Sequence, residues 1–459
     1  MKIRLSEHFT YKKIILITLM PMLMMVFTSL YSIVDGFFIS NFSSPQAFAG
    51  VNLIFPFIMV IGGIGFMLGA GGSALVAKKL GENKNIEAKQ IFTMIIIFTI
   101  LIGIIFSILG VIFIRPIALF LSFSAKGSEE EIKLMVEEAI KYGRILLLGQ
   151  TLFMLQNVFQ SFFVVDEKPM IGFLFTLSSG LLNMILDFIL VGVLRLEIVG
   201  AAIATISGYL IGGIGPIIYF LIHKNDYISF YKTNLKIKPL LQSCFNGSSE
   251  FVNNISSSIV SIIFNLQLLR YFGDVGVNSY GIIMYISFVF CAIFIGYGSG
   301  IAPATSYHFG ANNKDELNNI LKKSSVIVLI LSLAMCTLCL TLATPFAKMF
   351  ANNDAELIKL TTHGLRIYGI SFLFIGLSIY ISTFFTALNN GVISAIISFF
   401  RTLVFQISFV LIFPLIFDAS SIYWAIFASE VGSILLALIF LITNSKKYGY
   451  FKRNRKSIE

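Results

Sequence analysis

Twelve long apolar runs alternate with polar connections, at roughly 14–38, 47–70, 91–114, 140–163, 169–193, 199–222, 251–271, 277–302, 324–346, 366–388, 391–416 and 421–442. A run of about 20 apolar residues matches the thickness of a bilayer core. Backbone groups in lipid must be hydrogen-bonded within their own segment, and strand alternation is absent, so each run predicts a helix and not a barrel strand. The fourth run follows a charged stretch over 130–144 whose spacing predicts an amphipathic lead-in helix.

Composition agrees with this pattern. Of 459 residues, 57% are hydrophobic and 12% charged, and the mean hydropathy is +0.90. Soluble domains carry about 25% charged residues, so a compact cytosolic enzyme is excluded. Four cysteines in apolar surroundings exclude a secreted disulfide scaffold. The fold class expected is an all-α polytopic membrane protein with twelve transmembrane helices. Its start, MKIRLSEHFTYKK, is signal-peptide-like, yet the apolar run continues to Phe38 without a small-residue cleavage site, which predicts a retained first helix. Heavy use of Ile, Phe, Asn and Lys is compatible with an AT-rich bacterial genome, and the localisation expected is a bacterial cytoplasmic (inner) membrane.

The net charge of +10 would suggest nucleic acid in a soluble chain. Here the basic residues sit between spans, so no nucleic-acid partner is expected; the partner is the lipid bilayer. With the N-terminus inside and sides alternating, 22 of the 33 Lys and Arg fall inside and 10 outside, and Arg401 lies within a span. That bias predicts that both termini are cytoplasmic.

The chain also repeats itself. An offset of 229 relates GAGGSALVAKKLGENKNIEAKQI at 69–91 to GSGIAPATSYHFGANNKDELNNI at 298–320, pairing Gly71 with Gly300, Gly81 with Gly310, Asn83 with Asn312 and Glu87 with Glu316. Each segment reads as a small-residue helix end, a tight turn and a polar stretch before the next span. Two pseudo-symmetric six-helix lobes follow, over 1–222 and 248–445, joined by a basic cytoplasmic linker at 223–247 and followed by a basic tail at 446–459.

Charged residues within the spans are few: Asp35, Asp187, Glu250, Glu430 and Arg401. A carboxylate deep in the membrane costs several kcal/mol, so each must meet water, a partner or a proton. Withdrawal from water disfavours the charged form and a nearby monovalent cation favours it, so one pocket can hold either a proton or a competing cation. Asp35, in SLYSIVDGFFISNF, reads as a functional acid or as a hydrated group near the outer face; Pro21, fourteen residues earlier, permits a bend. Asp187 follows Asn183 by one helical turn, and Thr205 lies in the small-residue start of the next span, GAAIATISG.

The second-lobe residues say less. Glu250 reads first as helix-end electrostatics. Glu430 is a candidate substrate or ion contact, and Arg401 is long enough to snorkel to the cytoplasmic surface. Cys336 and Cys339 read as apolar cysteines. No Walker loop, dinucleotide glycine pattern or HExxH motif occurs and the four histidines are scattered, so no catalysis, cofactor or ATP use is expected.

In order and spacing, YSIVDGFFIS at 31–40, GENKNIEAKQ at 81–90, LLNMILDFILVG at 181–192, VGAAIATISG at 199–208 and FRTLVFQ at 400–406 resemble the MATE (multidrug and toxic compound extrusion) family, in its bacterial MepA-like branch. The resemblance implies two six-helix lobes around a central cavity, working by alternating access about the 223–247 joint. It implies export of small cationic, amphipathic drugs and dyes in exchange for H⁺ or Na⁺, and function as a monomer. The family's first-helix carboxylate falls on Asp35, its N-lobe cation site on Asn183, Asp187 and Thr205, and its bending proline on Pro21. Members that bind Na⁺ in the second lobe use a tenth-helix Asp, and GISFLFIGLSIYISTFF at 369–385 has no acid, which places coupling in the N-lobe. Glu250 then matches a seventh-helix acid that lacks its partner. Two rivals stand beside this reading. A flippase for lipid-linked saccharides needs several basic groups in its cavity, and a channel or receptor needs no buried titratable pair.

Overall fold

Helices follow the apolar runs closely. The computed structural model describes residues 4–124, 128–223, 227–351 and 354–451, so 224–226 of the linker and 452–459 of the basic tail lie outside the described residues. The first half holds α1 (Tyr11–Phe42), α2 (Pro45–Gly81), α3 (Asn85–Leu121), α4 (Glu129–Leu148), α5 (Gln150–Val165), α6 (Pro169–Leu186) and α7 (Glu197–Ile222). After α8 (Ile237–Asn246) come α9 (Ser248–Gly310), α10 (Lys314–Phe350), α11 (Ala355–Ala387), α12 (Gly391–Phe399), α13 (Phe405–Ile416), α14 (Trp424–Thr443) and α15 (Ser445–Tyr448). No strand occurs among the described residues.

Ten of these helical segments are long and apolar enough to cross a bilayer, and α4 with α5 form an eleventh bent by 52°. At 63 residues α9 would extend about 95 Å, three times the hydrocarbon core. It turns at Gly273, whose φ of +61° is open to glycine but strained for other residues, and the two arms bring the spans to twelve.

Three features differ from the apolar pattern. The lead-in helix begins with a capping box, in which Ser128 Oγ accepts from the Glu131 amide and Glu131 returns the bond to the Ser128 amide. It then runs on to Leu148, and the fourth span breaks at Gly149, where a Cβ would stand 2.6 Å from Ile206. The linker is not all loop, since IKPLLQSCFN forms the amphipathic α8. Two spans contain π-helical turns, Asp187–Val193 after α6 and Phe400–Val404 between α12 and α13. Such widened turns redirect side chains and concentrate at functional positions.

The chain divides into two compact units. The first comprises the described parts of 1–22, 77–83 and 248–459; the second, 23–76 and the described parts of 84–247. In the first, the repeated glycines meet: a Cβ at Gly81 would lie 2.0 Å from the Tyr307 carbonyl oxygen, and one at Gly310 would lie 2.0 Å from that of Lys78. The two helix ends touch backbone to backbone, which only glycine permits. The tight turns follow, with the left-handed residue at Asn83 (φ 58°) and Asn312 (φ 55°). The N-terminal segment is anchored in the same unit, where Phe9 N donates to Glu316 Oε1 at 2.8 Å and Asn319 Nδ2 to the Phe9 carbonyl at 2.8 Å. In the second unit the linker is anchored in the same way. Tyr231 N donates to Thr93 Oγ1 at 2.9 Å, and α8 lies so close to α2 that a Cβ at Gly71 would sit 2.0 Å from the Ser243 carbonyl.

Candidate functional site

The second unit gathers Asp35, Asn183, Asp187 and Thr205 from three helices. Asp35 lies on α1, which runs unbroken through Pro21. Asn183 is in the last turn of α6, and Asp187 opens the π-helical turn after it. Thr205 stands on α7, whose Gly208 lets the α6 backbone approach, since a Cβ there would be 2.9 Å from the Ser179 carbonyl. Asp187 is 0% exposed, and Asn183 and Thr205 are buried with it.

The carboxyl groups of Asp35 and Asp187 stand within hydrogen-bonding reach of each other. Asn183 Nδ2 points to Thr205 Oγ1 at 3.5 Å, and Thr205 donates its own proton to the Ala201 carbonyl at 2.9 Å. The Thr205 hydroxyl proton and one amide hydrogen of Asn183 are thus committed, while Asp35 Oδ1, Asn183 Oδ1 and both Asp187 oxygens are buried without a donor from the protein. An ionised carboxylate only accepts hydrogen bonds. Two of them this close need a proton or a cation between them, and a donor set made of oxygens suits a hard cation.

Three tyrosines surround the pair. Tyr31 lies one turn before Asp35 and beside Gln156, while Tyr142 and Tyr209 stand within electrostatic range of Asp35. Sequence reasoning missed all four. The i, i+4 spacing of Tyr31 with Asp35 and of Gln156 with Gln160 was the available signal.

In the first unit Arg401 does not reach for water. Its Nε donates to both carboxylate oxygens of Glu430, at 3.0 and 3.1 Å, with Glu430 1% exposed. Glu250, at the start of α9, lies beside Asn253 and within electrostatic range of Arg401. Cys336 and Cys339 are free and packed in the apolar core. An offset of 222 relates the helix starts at Lys168 and Asn390, each preceded by a residue of positive φ, Glu167 and Asn389. The same offset places Arg401 and Glu430 where the second unit has Ser179 and Gly208, whose hydroxyl and carbonyl bond at 2.8 Å.

The family profile MatE matches residues 21–189 and 251–412. The chain is similar to the multidrug export protein MepA of Staphylococcus haemolyticus, with 25% identity over 99% of this chain and 96% of that one. It is 23% identical to MepA of Staphylococcus saprophyticus over 94% and 91% of the two chains. Among solved structures, a MATE in complex with MaL6 superimposes with a TM-score of 0.90 at 22% identity, over 97% of this chain and 98% of that one. An outward-facing multidrug resistance MATE family transporter of the MOP superfamily does so with 0.89 at 23% identity, over 97% and 98%.

Proposed function

Because the chain belongs to the MatE family, we propose that it is a secondary active exporter of organic, mainly cationic amphipathic compounds, driven by antiport with H⁺ or Na⁺. The observation that carries this reading is the set of buried acceptor oxygens around Asp35 and Asp187 that no donor of the protein satisfies. Such a group is costly when empty of positive charge, and a small cation or a proton supplies what is missing. MepA, which is named for multidrug export, resembles this chain along nearly its whole length and supports the substrate class.

Exchange follows from linkage. A cationic substrate and a coupling ion that favour opposite conformations, or compete for one negative well, each lower the other's affinity by the same factor. The inward-facing form takes up the organic cation from the cytoplasm or inner leaflet. In the outward-facing form the acid pair accepts H⁺ or Na⁺ and the substrate leaves. A tenfold ion gradient supplies about 1.4 kcal/mol per ion. A potential of 100 mV adds about 2.3 kcal/mol for each net charge moved. One-for-one exchange of a monovalent drug moves no net charge, so only the concentration gradient then drives export. The flippase reading draws no support from Arg401, because Glu430 neutralises it.

The test is ethidium efflux from proteoliposomes holding the full-length protein, with proton and sodium gradients imposed in separate arms. One gradient should accelerate efflux, and Asp187→Asn should abolish that acceleration while still eluting as a folded protein. Equal efflux with and without either gradient would overturn the exchanger reading.

A further inference from the structure

The second unit holds another polar feature, which ion binding at the acid pair does not explain. Gln156 and Gln160 lie one turn apart on α5, and Thr176 and Ser179 on α6, all buried. Gln160 Nε2 donates to Thr176 Oγ1 at 3.1 Å, and Ser179 Oγ lies 3.5 Å from Gln156 Oε1. Gln156 also lies beside Tyr31, one turn from Asp35. These polar groups line up through an otherwise apolar bundle, between the acid pair and the α5–α6 junction at 166–168.

A small cavity opens along this seam between Gln156, Gln160, Thr176, Gly212 and Pro216 and the rings of Phe159, Phe163 and Phe175, with room for about one water molecule. Two features of α7 turn acceptor oxygens toward that space. A Cβ at Gly212 would lie 2.5 Å from Gln156 Oε1, so the amide owes its position to the glycine. Pro216 has no N–H, so the Gly212 carbonyl four residues earlier lacks its helical donor and becomes a further acceptor. Buried amides and hydroxyls are costly to keep in line. In the first unit, the equivalent of the Gln160–Thr176 bond is Ser382–Ser398, at 3.1 Å, and there the next step is occupied by the Arg401–Glu430 ion pair. Only the seam that meets Asp35 and Asp187 is left without a fixed charge.

We propose that the Gln156–Gln160–Thr176 seam is the inner exit through which the coupling cation leaves the acid pair for the cytoplasm, apart from the path of the organic substrate. The inference rests on the exchange function proposed above and on the charge bias that places residues 166–168 inside. A proton crosses on water held between the amides and the Gly212 carbonyl. A sodium ion finds the same groups as oxygen ligands.

The experiment compares full-length wild type, Gln160→Leu, the near-isosteric Thr176→Val and Asp187→Asn in ethidium-loaded proteoliposomes, under proton and sodium gradients in separate arms. In the arm that drives the wild type, both seam variants should slow efflux at least tenfold. Ethidium affinity in detergent, and ethidium–ethidium exchange without a gradient, should stay within twofold. Thr176→Val alone decides the matter if Gln160→Leu aggregates. Driven efflux within twofold of wild type in Thr176→Val, with Asp187→Asn inactive, would overturn the exit and leave the exchanger standing. Full activity in Asp187→Asn would remove the exchange reading on which the exit depends.

Discussion

Asp35 on α1 and Asp187 at the end of α6 bring their carboxyl groups within hydrogen-bonding reach of each other, and no other donor of the protein attends Asp35 Oδ1 or either Asp187 oxygen. Under the proposed exchange, two acids held this way act as one ligand. Asp35→Asn and Asp187→Asn should each lower gradient-driven ethidium efflux on the order of 100-fold, and the double variant should be no worse, since residues that share one role are not additive. Initial rates for the three variants check this. A double variant slower than either single by the product of their effects would mean that the acids work independently.

In the proposed coupling site, Thr205 offers one hydroxyl lone pair. Thr205→Ala removes a single neutral ligand worth about 1 kcal/mol, so the coupling-ion concentration for half-maximal efflux should rise about fivefold with the maximal rate retained. A titration of efflux against Na⁺ or pH separates that shift from a loss of maximal rate.

Arg401 and Glu430 predict a stability effect. Breaking a buried ion pair by removing one partner costs about 3–5 kcal/mol, whereas replacing both by apolar groups is close to neutral. Arg401→Met should therefore lower the thermal unfolding temperature clearly, and Arg401→Met with Glu430→Leu should recover most of the loss. A thermal-shift measurement in detergent reads both. If the double variant were no more stable than the single, the pair would not be a closed unit.

Gly81 and Gly310 allow two helix ends to touch through their backbones. Neither neighbouring carbonyl oxygen is the end of a flexible side chain, so even Gly310→Ala should cost about 1–3 kcal/mol, as overpacking does. The same thermal assay should show a drop for Gly310→Ala and Gly81→Ala, and none for an alanine at Gly281, where a Cβ meets nothing within 4 Å.

Much of this was legible in the chain. Hydropathy located the spans because lipid admits hardly any other secondary structure. The 229-residue repeat singled out Gly81, Gly310, Asn83 and Asn312, which take up the helix contacts and left-handed turns. Asp35 and Asp187 stood out as acids in apolar runs, but their meeting depends on how α1 packs against α6, which no local pattern encodes. Tyr142 and Tyr209 escaped notice because a tyrosine in an apolar run also serves packing. The break at Gly149 packs against Ile206, a contact distant in sequence. The helix within the linker, α8, was hidden by a basic composition that reads as loop.

The most direct test of the acid pair as the coupling site measures the ion instead of the drug. In proteoliposomes loaded with a pH indicator, and in a parallel set followed with a sodium tracer, a downhill ethidium gradient should drive one ion uphill in the opposite direction, because coupling is reciprocal. The wild type should show this ion flux, and it should vanish in Asp187→Asn. Ethidium movement with no ion flux in the wild type, or an equal ion flux in Asp187→Asn, would contradict the account.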